Sequence, residues 1–171
     1  MLAPTDEPAN PSGSAAEATA RLIKEITADP VSAVFAPAHR IAILVGSARP
    51  AGKSTSLSIA RYLARQCESA GAATEIVMAA TFARMGEPAA HAARTLATAD
   101  VLIVAAPLYV DALPYLALLA LQEAATARPP GAPAQRIVGV INCGFPEPEH
   151  TRFAFASLRA FANATSGRYA G

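Results

Sequence analysis

The sequence predicts an α/β fold built on a parallel sheet covered on both faces. Three observations carry that prediction. Four short apolar runs, at 41–45, 74–78, 101–106 and 136–142, are rich in Val and Ile and lack the polar alternation of a half-exposed sheet. A helix-compatible stretch separates each run from the next, the rhythm of βαβ units. Gly and Pro punctuate the joints between them. In such sheets ligands bind beyond the carboxyl ends of the strands, so the loops at 46–54, 107–114 and 142–148 are where function is expected.

Residues 1–14 are rich in Pro, Ser and small side chains, a composition that predicts disorder. Residues 15–28, "AAEATARLIKEITA", predict a weakly amphipathic helix ending before Asp29-Pro30. Together 1–38 are read as an extension preceding one domain over 39–171. The acidic, Pro-rich start has no basic n-region or apolar h-region and does not read as a signal peptide. The domain opens with the strand 41–45, "IAILV". A helix near 54–70 then places Leu57, Ile59, Ala60, Leu63, Ala64 and Cys67 on one face. Gly71 stands where a left-handed residue ends it. The strand 74–78, "TEIVM", and a helix over 87–98 follow. Asp100 leads into the strand 101–106, "VLIVAA", and Pro114 opens a helix to about 126 that "RPPGAP" terminates. The strand 136–142, "RIVGVIN", is followed by a helix over 149–165 that stops near Ser166-Gly167. Only "RYAG" remains beyond it, so four strands are expected and a fifth is not.

Composition narrows the function. The net charge is +1 with no basic block, which offers nucleic acid no electrostatic footprint. Hydrophobic residues make up 53% of the chain, but 43 of them are Ala, so large core side chains are fewer than that figure suggests. The stretch 101–121 is long and apolar enough to resemble a membrane span, yet Pro107, Asp111 and Pro114 divide it into strand, loop and helix. Cys67 and Cys143 form no CxxC pair and read as reduced thiols of a cytoplasmic protein. Glu147, Glu149 and His150 cluster without a further His or Cys, and His39 and His91 stand in no catalytic pattern, so no metal site is expected.

The loop "VGSARPAGKSTS", residues 45–56, concentrates the chemistry. It is a near miss for a triphosphate-binding loop: five residues rather than four separate Gly46 from Gly52, and the correct register puts Ser47 where the first glycine should be. No predicted strand ends in the Asp that would hold magnesium. A single phosphate needs less. The free N–H groups of a helix N-terminus suffice, with hydroxyls from Ser47, Ser54, Thr55 and Ser56 and charge from Arg49 and Lys53. On the residues alone an ordinary turn and N-cap stays open as well.

The stretch "ILVGSARPAGKSTSLSIARYL" resembles the first loop of the NAD(P)H-dependent FMN reductases, a branch of the flavodoxin-like flavoproteins. Gly46, Ser47 and Arg49 match their G-S-x-R pattern, and Ser54 falls where a phosphate-binding Ser or Thr stands. Lys53 departs from the Asn common at its place. "ADVLIVAAPLYVDALPYLALLAL" resembles the third strand of that family and its P-x-Y-x4-P loop, here Pro107, Tyr109 and Pro114. "INCGFPEPEH" resembles the loop after the fourth strand.

The resemblance spans about 40–170 and implies a flavodoxin-like αβα fold with the visible strands ordered 2-1-3-4, lacking the fifth. It implies an FMN phosphate held by Ser47, Arg49, Lys53, Ser54 and Thr55. The flavin ring would lie between Pro107, Leu108, Tyr109 and Val110 on one side and Asn142, Cys143, Gly144 and Phe145 on the other. NAD(P)H would deliver hydride to the flavin N5, and a flavin, quinone or similar acceptor would take the electrons. The family is commonly homodimeric, and an unpaired fourth-strand edge would add pressure to self-associate. An electron carrier or a non-catalytic flavin-binding remnant is the alternative, and the near-neutral charge argues against the carrier.

Overall fold

The computed structural model describes residues 40–49 and 53–170. The extension expected over 1–38, its helix at 15–28, the boundary at 38/39, His39 and residues 50–52 of the loop lie outside the described residues. The strands are β1 (Arg40–Val45), β2 (Ala73–Met78), β3 (Val101–Pro107), β4 (Arg136–Asn142) and β5 (Arg168–Tyr169). The helices are α1 (Thr55–Ser69), α2 (Glu87–Thr98), α3 (Tyr115–Ala127) and α4 (Arg152–Ala164).

All strand pairs are parallel, in the order β2-β1-β3-β4-β5. That is the flavodoxin-like order, with its switch point between β1 and β3. Ile43 lies opposite Ile76 on one side and Ile103 on the other. Successive side chains face opposite layers. Ala42, Leu44, Leu102, Val104 and Ile137 join one core with buried residues of α2, α3 and α4. On the other face α1 brings Leu57, Ala60, Ala64 and Cys67 onto the sheet. Burial pushes the Cys67 thiol above its ordinary pKa, and neighbouring Glu68 adds to the rise.

The α1 termini follow from local chemistry. Ser54 is extended and its Oγ accepts the Leu57 N–H at 3.1 Å, an N-cap. At the other end Gly71 has φ +89°, and the Ala72 N–H donates to the Cys67 carbonyl. The stretch 101–121 divides into β3, a loop and α3, and no described helix is long and apolar enough to cross a membrane.

The expectation of a missing fifth strand is corrected. After α4, Ser166 at φ 53° turns the chain back, and Gly167 brings it against β4. A Cβ at Gly167 would stand 2.6 Å from Ile137 Cδ1 and 2.9 Å from the Gln135 carbonyl oxygen, so only glycine allows the approach. Arg168 and Tyr169 then pair with Arg136 and Ile137. The Arg159 guanidinium lies 5.5 Å from the Tyr169 ring centroid. A two-residue strand has no hydrophobic period to read; the pairing is made by turn geometry and packing. Among the described residues no strand pairs with the outer edge of β4 beyond Ile137.

Candidate functional site

The loop after β1 begins with a close approach. The Gly46 N–H donates to the Ala105 carbonyl at 2.8 Å, and a Cβ at Gly46 would stand 2.6 Å from Ala106 Cβ and 3.2 Å from Ala117 Cβ. Glycine therefore lets β1 run on beside β3 before the chain turns toward α1. Ser47 and Ser54 are buried at the two ends of the described loop. Ser47 Oγ accepts the Arg49 N–H at 3.2 Å. The first N–H groups of α1, those of Thr55 and Ser56, have no intrahelical acceptor and leave a partial positive charge at this end.

Beyond the carboxyl ends of β1, β3 and β4 opens a cavity of about 360 Å3, within the ~300–1,000 Å3 of small-molecule sites. The structure brings to it most of the residues singled out from the sequence. Ser47, Arg49, Lys53, Ser54 and Thr55 line one part. Pro107, Leu108 and Tyr109 of the loop after β3, and Asn142, Cys143 and Gly144 of the loop after β4, line the rest. A Cβ at Gly144 would meet no protein atom within 4 Å, so its backbone faces open space. Two of the residues do not reach the cavity. Val110 is 99% exposed at the tip of its loop, and Phe145 is 61% exposed.

Val110 projects outward because of the turn it occupies. Tyr109 and Ala112 exchange backbone hydrogen bonds, at 2.9 and 3.1 Å, around Val110 at φ 50° and Asp111 at φ 60°. That is the two-residue pattern with positive φ at both central positions. A β-branched residue adopts it only at a cost in strain.

Ser56 was counted among the loop's hydroxyls but not among the residues assigned to FMN. It is buried, lines the cavity and donates to Asn142 Oδ1 at 2.6 Å, tying the start of α1 to the end of β4. Its position one residue into a helix that starts at the site is the signal that could have found it. His150, read only as part of an acidic cluster, pairs through Nδ1 with Asp111 Oδ1 at 2.9 Å. Its ring lies 4.8 Å from that of Phe145, so it joins the loops after β3 and β4. Among the described residues no group of three or more His, Cys, Asp or Glu could hold a metal.

The electrostatics suit an anion. Among the described residues no carboxylate lines the cavity. Arg49 and Lys53 have no ion-pair partner among the described residues. A triphosphate would need a carboxylate to place its magnesium; a single phosphate needs only the donors present. The arrangement thus offers hydroxyl, amide and cationic donors in one part of the cavity, with the residues of the loops after β3 and β4 lining the rest.

No protein-family model matches the chain, and no curated protein matches it. Solved structures do. An NADH:FMN oxidoreductase is 20% identical, with a TM-score of 0.58 over 77% of this chain and 71% of its own. The flavoenzyme NAD(P)H:(acceptor) oxidoreductase of Paracoccus denitrificans is 16% identical, with a TM-score of 0.57 over 78% and 75%. An azoreductase of Bacillus anthracis str. Sterne is 13% identical, with a TM-score of 0.54 over 76% and 83%. Together with the strand order, these likenesses establish that the chain has the flavodoxin-like fold.

Proposed function

We propose that the chain is an FMN-dependent NAD(P)H oxidoreductase that passes electrons to a flavin, quinone or similar acceptor in the cytoplasm. One observation carries this reading: a cavity at the sheet's switch point whose donors suit one phosphate and whose remaining lining comes from the loops after β3 and β4. Bound FMN would supply the chemistry, accepting hydride from the nicotinamide and returning electrons to the acceptor.

The chain's own residues bind and orient. Ser47, Arg49, Lys53, Ser54 and Thr55 hold the phosphate dianion together with the first amides of α1. The Ser56–Asn142 hydrogen bond fixes the spacing between that anchor and the loop after β4. Pro107, Leu108 and Tyr109 flank one side of the ring, and Asn142, Cys143 and Gly144 the other. Hydride transfer needs no side-chain acid or base, which fits a cavity lined by no carboxylate or imidazole among the described residues. Self-association to a homodimer belongs to the same reading. It is supported by the β4 edge beyond Ile137, which no described strand pairs, and by the exposed Tyr109, Val110, Tyr115 and Phe145.

The test is to purify the chain, titrate FMN by visible absorbance and follow NADH and NADPH oxidation with ferricyanide or a quinone. Bound FMN with turnover is the expected result. Bound FMN without nicotinamide oxidation would make the protein a carrier or remnant, and ATP binding in place of FMN would overturn the site. Analytical ultracentrifugation should give a dimer; a stable monomer would remove that part.

A further inference from the structure

A second groove, of about 510 Å3, lies beside the first cavity and also at the carboxyl end of the sheet. Leu57 of α1 and Ile76 and Met78 of the edge strand β2 line it, with Arg49 and Arg61. Arg49 lines both cavities, so the two adjoin there. No carboxylate among the described residues lines the groove. Among the described residues the guanidinium groups of Arg49 and Arg61 have neither ion-pair nor hydrogen-bond partners.

A guanidinium beside an apolar wall recognises a particular kind of ligand. With Arg49 engaged by the FMN phosphate, the planar fork of Arg61 is left to match the oxygens of a second phosphate, while the partly exposed Ile76 and Met78 offer a surface for a flat, weakly polar ring. The groove stands at the β2 tip, and the candidate flavin-ring slot stands at the tips of β3 and β4. Those positions are two to three strand spacings apart, about 10–15 Å. An extended dinucleotide bridges such a gap with one end in each.

We propose that the Arg49–Arg61 groove binds the adenosine 2′-phosphate end of a nicotinamide dinucleotide, and so selects NADPH over NADH. The inference rests on the oxidoreductase reading for the identity of the ligand. The anion site itself can be tested without FMN.

The probes are 2′,5′-ADP, 5′-ADP and inorganic phosphate, titrated calorimetrically into the purified full chain. Binding of 2′,5′-ADP should be at least about tenfold tighter than that of 5′-ADP or phosphate, the contribution of a charge-assisted contact to the 2′-phosphate. Arg61→Ala and Arg61→Gln should each weaken 2′,5′-ADP by about tenfold or more. Arg65→Ala, on an exposed residue one turn further along α1, should change it by less than about twofold. Arg61 is exposed on a helix where Ala and Gln are good formers, so the variants should fold, and a thermal melt checks this.

In turnover, Arg61→Ala should lower the NADPH-to-NADH ratio of kcat/KM by about tenfold, through KM rather than kcat. FMN affinity should stay within about twofold. Equal binding of 2′,5′-ADP and 5′-ADP, or an unchanged ratio in Arg61→Ala, would overturn the groove. Failure of the wild type to bind FMN, with selective 2′,5′-ADP binding intact, would instead overturn the oxidoreductase reading and leave the groove standing.

Discussion

Ser54 separates the stability of the site from its charge. Its Oγ accepts the Leu57 N–H at 3.1 Å, and the residue is only 4% exposed. Ser54→Ala removes that acceptor, at about 1 kcal/mol and up to ~2. In a domain of this size the melting temperature should fall by about 3–5 °C. It also removes a hydroxyl donor from the phosphate, which should weaken FMN by about tenfold. Ser54→Asp keeps the acceptor, since Asp caps helices as well as Ser does, and its charge favours the α1 N-terminus by about 0.3–1 kcal/mol. The apo Ser54→Asp protein should therefore melt above Ser54→Ala, the desolvation of the buried carboxylate offsetting the dipole gain relative to wild type. FMN binding should nevertheless collapse. A carboxylate about 4 Å from a phosphate dianion costs roughly 2 kcal/mol even at the dielectric of bulk water, or about 30-fold in affinity. Burial makes that a lower bound. The assay pairs thermal melts without FMN with FMN titration by fluorescence quenching. Ser54→Asp binding FMN as the wild type does would refute the phosphate anchor. Equal loss of stability in both variants would refute the N-cap.

Gly46→Ala should destabilise the fold by about 1–3 kcal/mol in chemical denaturation, because its Cβ would overlap Ala106 and crowd Ala117. A stability matching wild type would mean the approach of β1 to α3 is looser than its geometry. Val110→Asn should raise stability by about 1 kcal/mol, since Asn tolerates φ 50° and the fully exposed Val packs on nothing; a loss would show that the turn holds no strain. Ser56→Ala and Asn142→Ala, alone and together, should show a coupling of about 0.5–1.5 kcal/mol in FMN binding, whereas additive effects would mean their 2.6 Å hydrogen bond does not shape the site. Ellman's reagent at pH 8 should modify exposed Cys143 promptly and spare Cys67, whose burial disfavours the reactive thiolate; excess FMN should slow the Cys143 reaction, and prompt reaction of both thiols would contradict that burial.

β1 and β3 were legible as dense apolar runs buried on both faces, whereas β2 and β4 carry a β-branched signature although β2 exposes Ala73 and Glu75 at the sheet edge and β4 is mostly half-buried. The loops between them could be assigned from strand direction alone. β5 was not legible. Arg168 and Tyr169 carry no period, and what seats them is the space at Gly167 and the turn at Ser166. The same division runs through the site. Residue types at the loop after β1 indicated an anion, and the structure brings Asn142, Cys143 and Gly144 to the same cavity from about ninety residues away. Hydrophobic patterning does not encode which individual atoms meet there. The Ser56–Asn142 bond depends on the register that sets Asn142 opposite Pro107. The family resemblance of its loop implies Val110 beside the ring, but a turn with positive φ at two successive residues sends it out to solvent. The Asp111–His150 pair arises from that same turn, which carries the Asp111 carboxylate to the loop after β4. One backbone choice at 110–111 thus removes a side chain from the cavity and supplies the link between two of its walls. Val110→Asn should keep that link, whereas a substitution that flattens the turn should lose it together with the spacing of the slot.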